Sequence, residues 1–298
     1  LAGERPRLID EWQVAPQLWN HLRRNVDDAA APGQFLLTGS AMPNDDVTRH
    51  TGAGRIARVH LRPMSLFEMS LSSGAVSLAR MMVGQPDTSS DTNLKVAALA
   101  EIVCRGGWPG NLRLSLQAAL DAQRDYLHEI QRTDIARVDG VRRDPYNVER
   151  VVRSLARNVA TTVAASTLAS DAGGADGPLD PNTVRDYLSA LRRLMILEEQ
   201  PAWAPHLRSR SVLRKSPKRH LVDPSLAVAA LGGNPDRLLK DLKLFGFLFE
   251  SLVARDLRVY AQNIDASLYH YRDNTGFEID AIVEDSQGNW CAFEVKLG

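Results

Sequence analysis

Cysteine is almost missing from this chain: Cys104 and Cys291 are the only two among 298 residues, far apart and without C-x-x-C spacing. That excludes a disulfide framework and a Cys-rich zinc site, and it fits a reducing, cytoplasmic setting. There is no run of about 18 apolar residues and no signal-peptide pattern, so a helical span, and with it a membrane partner, is not expected. Charge of one sign is lacking too. Lys and Arg number 36, as do Asp and Glu. Global charge therefore points to no nucleic-acid partner, although a local concentration of charge could. A G-x-x-x-x-G-K-[ST] loop is also absent. The chain thus has no backbone cradle and no lysine of that kind for nucleotide phosphates. No Ser/His/Asp or Cys/His set stands out, nor any internal repeat.

What is present is ordinary in bulk, 44% hydrophobic and 24% charged, and long enough for two or three domains. The chain opens on Leu1 rather than Met and stops at Gly298, directly after a Glu-x-Lys strand pattern. We expect an internal fragment of a longer protein. Arg7-Leu8-Ile9 runs into Asp10-Glu11. A helix follows with Leu18, Trp19, Leu22 and Val26 on one face, until Gly33 breaks it. Residues 34–37 form a buried-strand candidate ending in Thr38-Gly39-Ser40. Residues 56–61 alternate like a further strand, and Ser65-Leu66-Phe67-Glu68 is a capping box expected to open a helix. The first seventy residues therefore have an α/β pattern.

Residues 94–103, 116–135 and 147–165 are expected to be helical, with Gly106-Gly107-Trp108-Pro109-Gly110 as a break in which Trp108 packs structurally. Asp180-Pro181-Asn182-Thr183 starts another helix, whose apolar face is Val184, Leu188, Leu191 and Met195. Strand-like sequence follows at 198–203. Short helix, turn, longer helix and ribbon make a winged-helix pattern. Residues from about 235 form a last unit containing Glu250, Asp280 and Glu294-Val295-Lys296. Fourteen positions separate Asp280 from Glu294, room for a strand, a tight turn and another strand.

The order of these motifs resembles a group of prokaryotic AAA-type ATPases. Leu8-Ile9-Asp10-Glu11 matches their Walker B strand, Phe35 to Ser40 their sensor strand, and Gly54-Arg55 through Leu61-Arg62-Pro63-Met64-Ser65 the end of the ATPase core. Gly106-Gly107-Trp108-Pro109, residues 126–134 and 183–188, and Lys218 to Asp223 resemble the domain of unknown function that accompanies it. Glu250, Asp280, Glu294 and Lys296 resemble the acidic constellation of PD-(D/E)XK nucleases. The resemblance implies an α/β chain: a partial P-loop AAA-type core over 1–70, a helical region over 71–165, a winged-helix-like domain over 166–234 and a restriction-endonuclease-like domain over 235–298. For the intact parent it implies ATP and Mg²⁺. Without the phosphate loop this chain should itself bind ATP poorly or not at all. A homo-oligomer is a further expectation from the family.

Within that frame Asp10 would help to hold Mg²⁺ and Glu11 would polarise the attacking water. Alone, the string is a weak signal and reads more simply as a solvated acidic pair at a strand end. Thr38 or Ser40 would be the polar sensor, and Arg55 would stabilise transition-state charge or simply lie on the surface. Asp280 and Glu294 should share one sheet face, where their repulsion is relieved by a metal ion. Lys296 would then orient a nucleophile, and Glu250 would complete the set. The alternative is a nuclease-like fold whose charges pair in a Glu–Lys network. Residues 206–220 hold the densest positive charge. With Arg185, the side chains of Arg208, Arg210, Arg214, Lys215, Lys218 and Arg219 are candidates for salt-dependent DNA contact; a solvated loop is the rival. The leading expectation is a fragment of an AAA-type ATPase with a nuclease-like module, acting on DNA. The alternatives are a Mg²⁺-dependent nuclease with an ATPase remnant, or a non-catalytic DNA- or partner-binding module.

Overall fold

The computed structural model describes residues 4–29, 31–40, 53–85, 94–174, 177–205, 215–273 and 275–297. It begins with a short parallel strand pair, β1 (Arg7–Ile9) and β2 (Phe35–Leu37), joined through helix α1 (Leu18–Ala29). Trp19 and Leu22 form the buried side of α1. The expected strand at 56–61 and helix from Ser65 do not form. Val59 and Leu61 point to solvent, 71% and 85% exposed, while His60 and Arg62 turn inward to Glu198. The alternation is therefore inverted: the polar residues are the ones held. At Ser65 the capping box is complete, since the Ser65 N–H donates to Glu68 Oε2 at 2.7 Å and the Glu68 N–H donates back to Ser65 Oγ at 3.3 Å. Only one turn follows, because Ser70 adopts a left-handed φ of 59°.

Next come α2 (Leu78–Met82), α3 (Val96–Arg105), α4 (Leu116–Glu129), a π-helical turn over Ile130–Asp134, and α5 (Ile135–Arg137). They lead into α6 (Pro145–Arg157), α7 (Ala165–Gly173) and α8 (Pro181–Arg193). α6 stops at Arg157 rather than continuing to 165. Ala160 is left-handed at φ 60°, and its N–H leaves the helix to donate to the Arg219 carbonyl, at 2.9 Å. β3 (Leu197–Gln200) and β4 (Lys218–Leu221) pair antiparallel. They are followed by α9 (Pro224–Ala230), α10 (Pro235–Lys240) and the long α11 (Leu242–Gln262). Last is an antiparallel sheet in the order β5 (Ala266–Arg272), β6 (Glu278–Asp285), β7 (Trp290–Phe293).

Four helices open on the same local device. Asp144, Asp180, Asp223 and Asn234 each precede a proline and accept a backbone N–H from the first turn. The proline sits where its missing N–H has no intrahelical partner to lose. α11 is the spine of the fold. Phe245, Leu248 and Leu252 join the main core with Val103, Leu120, Val151, Leu168, Leu191 and Leu226. Its later residues Ala254, Leu257 and Ala261 pack on Leu268, Ala281 and Val283 of the last sheet.

Three sequence motifs meet on α11 at Arg255, which is 1% exposed. Its guanidinium donates to Asp223 at 2.8 Å and to Asp256 at 2.7 Å. Asp223 also accepts from the Gly107 N–H, and Asp256 from the Leu66 N–H. Beside this joint Trp108 donates to Ser225 Oγ at 3.1 Å and meets Tyr126 edge-on. Among the described residues no helix is long and apolar enough to cross a membrane.

Candidate functional sites

The first site lies where β1 and β2 end together. The register sets Ile9 opposite Leu37, and the Thr38 N–H donates to the Ile9 carbonyl at 3.0 Å. The next residues, Asp10 and Thr38, are thus side by side, and the Thr38 hydroxyl donates to Asp10 Oδ1. The Glu11 N–H donates to the same oxygen at 3.1 Å. Glu11 itself is left-handed, φ 49°, a conformation that costs a non-glycine residue of order 1 kcal/mol. Its carboxylate accepts from Gln13 Nε2, and from Ser40 Oγ at 3.3 Å. Gln13, which sequence reasoning passed over, also donates to Ser40 Oγ at 3.3 Å. These are hard oxygen donors at an exposed strand end. They fit Mg²⁺, which takes one or two carboxylates and completes its shell with water and phosphate. Arg55 is paired elsewhere, with Asp27 of α1.

The second site joins the ribbon to the last sheet. Lys218 on β4 is 2% exposed. Its Nζ lies 2.7 Å from Glu250 Oε1, 2.9 Å from Glu278 Oε1 and 3.4 Å from Asp280 Oδ1. Glu278 and Asp280 are two apart on β6 and so share a face. The other Asp280 oxygen accepts the Val295 N–H at 2.9 Å. Burial pushes the Glu250 carboxyl up to about 7 against the pull of Lys218, with Asp280 and Glu278 adding to the rise. Burial opposes the Lys218 ammonium as well, but Glu250 and Glu278 outweigh it and hold its pKa above the ordinary value. Below this site Gln200 Nε2 donates to the Tyr269 and Asp280 carbonyls, at 2.7 and 2.9 Å. That leaves Gln200 Oε1 to accept from His220 Nε2, at 2.9 Å, while His220 Nδ1 faces Ser251 Oγ, at 3.2 Å. In the neutral ring, with Nε2 donating, Nδ1 accepts the Ser251 hydroxyl. Burial drives the His220 pKa well below its ordinary value.

Several expected assignments change here. Lys218, expected on a nucleic-acid face, is buried and committed to carboxylates. Glu294 and Lys296 lie beyond the end of β7 and pair with each other at 2.5 Å, 54% and 72% exposed. β7 closes at Phe293, registered with Ala281, yet the segment stays against the cluster: the Val295 N–H, between Glu294 and Lys296, donates to Asp280, and Glu294 first, then Asp280 and Glu250, raise the Lys296 pKa. The described residues contain no group of three or more His, Cys, Asp or Glu arranged to hold a metal ion. Glu250, Glu278 and Asp280 do converge, but on an ammonium. The residues present therefore do not fit a divalent ion between Asp280 and Glu294. Glu278 was missed by sequence reasoning; the i, i+2 spacing to Asp280 was the available signal.

The basic residues form a third region. Arg185, Arg192 and Arg219 line a groove of about 420 Å³ with Glu199, Ser216 and the start of α7. Glu199 takes Arg192 at 2.7 Å and Arg219 at 3.2 Å. Arg185 reaches Asn182 at 2.6 Å. Lys215 lies over the Tyr271 ring and donates to the Arg272 carbonyl. Arg208, Arg210 and Arg214 lie outside the described residues.

Comparison with known proteins divides the chain in three. Residues 2–70 match an AAA domain, residues 96–237 a domain of unknown function (DUF8612), and residues 245–298 a second domain of unknown function (DUF4143). Uncharacterized proteins of Mycobacterium bovis and of Mycobacterium tuberculosis are each 27% identical over 291 residues, covering 97% of this chain. The chain spans 58% of the length of either relative. No solved structure matches. The chain is similar to AAA-type ATPases at the end that carries Asp10 and Thr38.

Proposed function

We propose that the protein containing these residues hydrolyses ATP with Mg²⁺, and that Asp10, Glu11, Thr38 and Ser40 are the part of the site that handles the metal and the attacking water. The observation that carries this reading is the Thr38 hydroxyl bond to Asp10 across the parallel strand pair. It fixes the rotamer of the acid and links two strand ends at the place where α/β folds hold ligands. Bound Mg²⁺ would neutralise charge developing on the transferred phosphoryl group. Asp10 would take its water shell or coordinate directly, Glu11 would orient the nucleophilic water, and Ser40 and Gln13 would keep the Glu11 carboxylate in place. Leu8 and Leu36 stand 61% and 58% exposed on the two strands. Parallel strands are normally covered on both faces, so the proposal places further ATPase-core structure over them. The phosphate-cradling groups would belong to that structure. The strap from His60 to Leu66 is bonded to Glu198, Gly107 and Asp256. It would carry nucleotide-dependent movement into the helical and C-terminal parts.

The test is ATP turnover by the full-length protein. Asp10→Ala is expected to lower it by roughly 10²-fold or more; turnover that survives this change would sink the reading.

The groove between α7 and α8 favours a second activity of the same protein, DNA contact through the helix–turn–helix–ribbon segment. Three arginines converge beside the α7 N-terminus, whose N-cap Ala164 supplies no side-chain cap. Free N–H groups at a helix start favour phosphate. Duplex binding should weaken linearly with the logarithm of salt, and Arg185→Ala should lower that slope by about 1. A flat isotherm at low salt would remove this reading. Phosphodiester hydrolysis is not part of the proposal, because an ammonium stands among the carboxylates that would have to hold the metal.

A further inference from the structure

We infer that Lys218 is the resident cation of the C-terminal carboxylate cluster formed by Glu250, Glu278 and Asp280, and that its ammonium keeps a divalent ion out of that cluster. Lys218 enters from β4, while its partners belong to α11 and β6. Three carboxylate oxygens within 3.4 Å of one Nζ surround a side chain that is 2% exposed. Carboxylates gathered in one pocket repel, and a buried ammonium loses several kcal/mol of hydration. Each problem is the other's solution. A divalent ion could also relieve the carboxylates, but its bonds of about 2.1–2.4 Å to the same oxygens would place it against the ammonium. The two cations therefore exclude one another.

The lysine has no easy retreat. Its backbone is registered with Gln200 on β3, and the Gln200 amide is pinned to the Tyr269 and Asp280 carbonyls. Withdrawing Lys218 means parting the ribbon from the sheet. The cluster thus works as a socket that seats β4 on the last sheet and needs no metal to do so.

Mn²⁺ uptake, followed by the loss of its free-ion electron paramagnetic resonance signal, tests the inference. Four proteins are compared: wild type, Asp280→Asn, Lys218→Met and the double variant. Wild type and Asp280→Asn are expected to take up the same amount. Lys218→Met should take up one further equivalent per chain, and the double variant should lose it again. Lower uptake by Asp280→Asn than by wild type would overturn the inference, because a metal would then share the cluster with Lys218. So would a folded Lys218→Met that gains no ion, because the cluster would then be an ion pair and not a cation site. Should Lys218→Met fail to fold, the first pair decides alone: equal uptake supports the inference and lower uptake overturns it. Any Mn²⁺ held through Asp10 is common to all four proteins, so this outcome is separate from that of the ATPase reading.

Discussion

Gly107 shows how closely separate segments meet. A Cβ at this position would collide with the Met64 carbonyl oxygen and crowd the Arg255 guanidinium. The same residue donates its N–H to Asp223 and accepts the Met64 N–H at 2.7 Å. Gly107→Ala would have to push apart backbone atoms that are hydrogen-bonded to each other, with a buried ion pair behind them. The expected loss is about 1–3 kcal/mol, the range for overpacking a filled core. Gly110, three residues on, has nothing within 4 Å of its Cβ position. Gly110→Ala should change stability by less than about 0.5 kcal/mol. Urea midpoints of the two variants check the contrast. Equal midpoints would mean that the Gly107 contact is not tight in solution.

At the scale of elements, legibility depended on whether the signal was local. The Asp180-Pro181 helix start and the turn at Gly106-Gly107 depend on neighbours a few residues away and were legible in the sequence. The meeting of Asp10 with Thr38 was not: the sequence offered each at a strand end, and only the parallel pairing of β1 with β2 sets them side by side. Residues 56–61 failed for an equally specific reason. Apolar alternation says which residues share a side, but not that this side faces a core. Here His60 and Arg62 are drawn inward by Glu198, a residue about 140 positions away in the chain, and the apolar set is turned out. Lys218 misled in the same way. Within the run Arg214-Lys215-Ser216-Pro217-Lys218-Arg219 it is one more positive charge. Only the register of β4 against β3 and the position of β6 make it a buried counter-ion. The sequence placed 242–262 within a last unit, and no period says that the first half of α11 serves one core and its second half another.

At the scale of the whole molecule, balanced charge removes a common cause of pH sensitivity. With 36 basic and 36 acidic side chains, self-repulsion is small near neutrality, and a few buried groups govern the response. His60, His220 and His270 all have lowered pKa values, each mainly through burial, and His270 falls to about 4. The folded state then binds fewer protons than the unfolded one. Stability from these groups is full above the unfolded histidine value near 6.5 and is lost as pH falls towards the folded values. Glu250 acts in the opposite sense. Its pKa is raised to about 7, so its contribution is full below the ordinary glutamate range and is lost as pH rises through 7. Asp256, also raised by burial, acts in the same sense as Glu250. The three histidines oppose them, and their share of the stability is lost on acidification below about 6.5. His270→Gln keeps a donor for the Ser216 carbonyl, which His270 Nε2 faces at 3.3 Å, and removes the titration. It should recover up to about 3 kcal/mol of the acid loss between pH 6.5 and 4. Urea midpoints across that range provide the check: a variant curve parallel to the wild type would show that His270 is not held neutral by the fold.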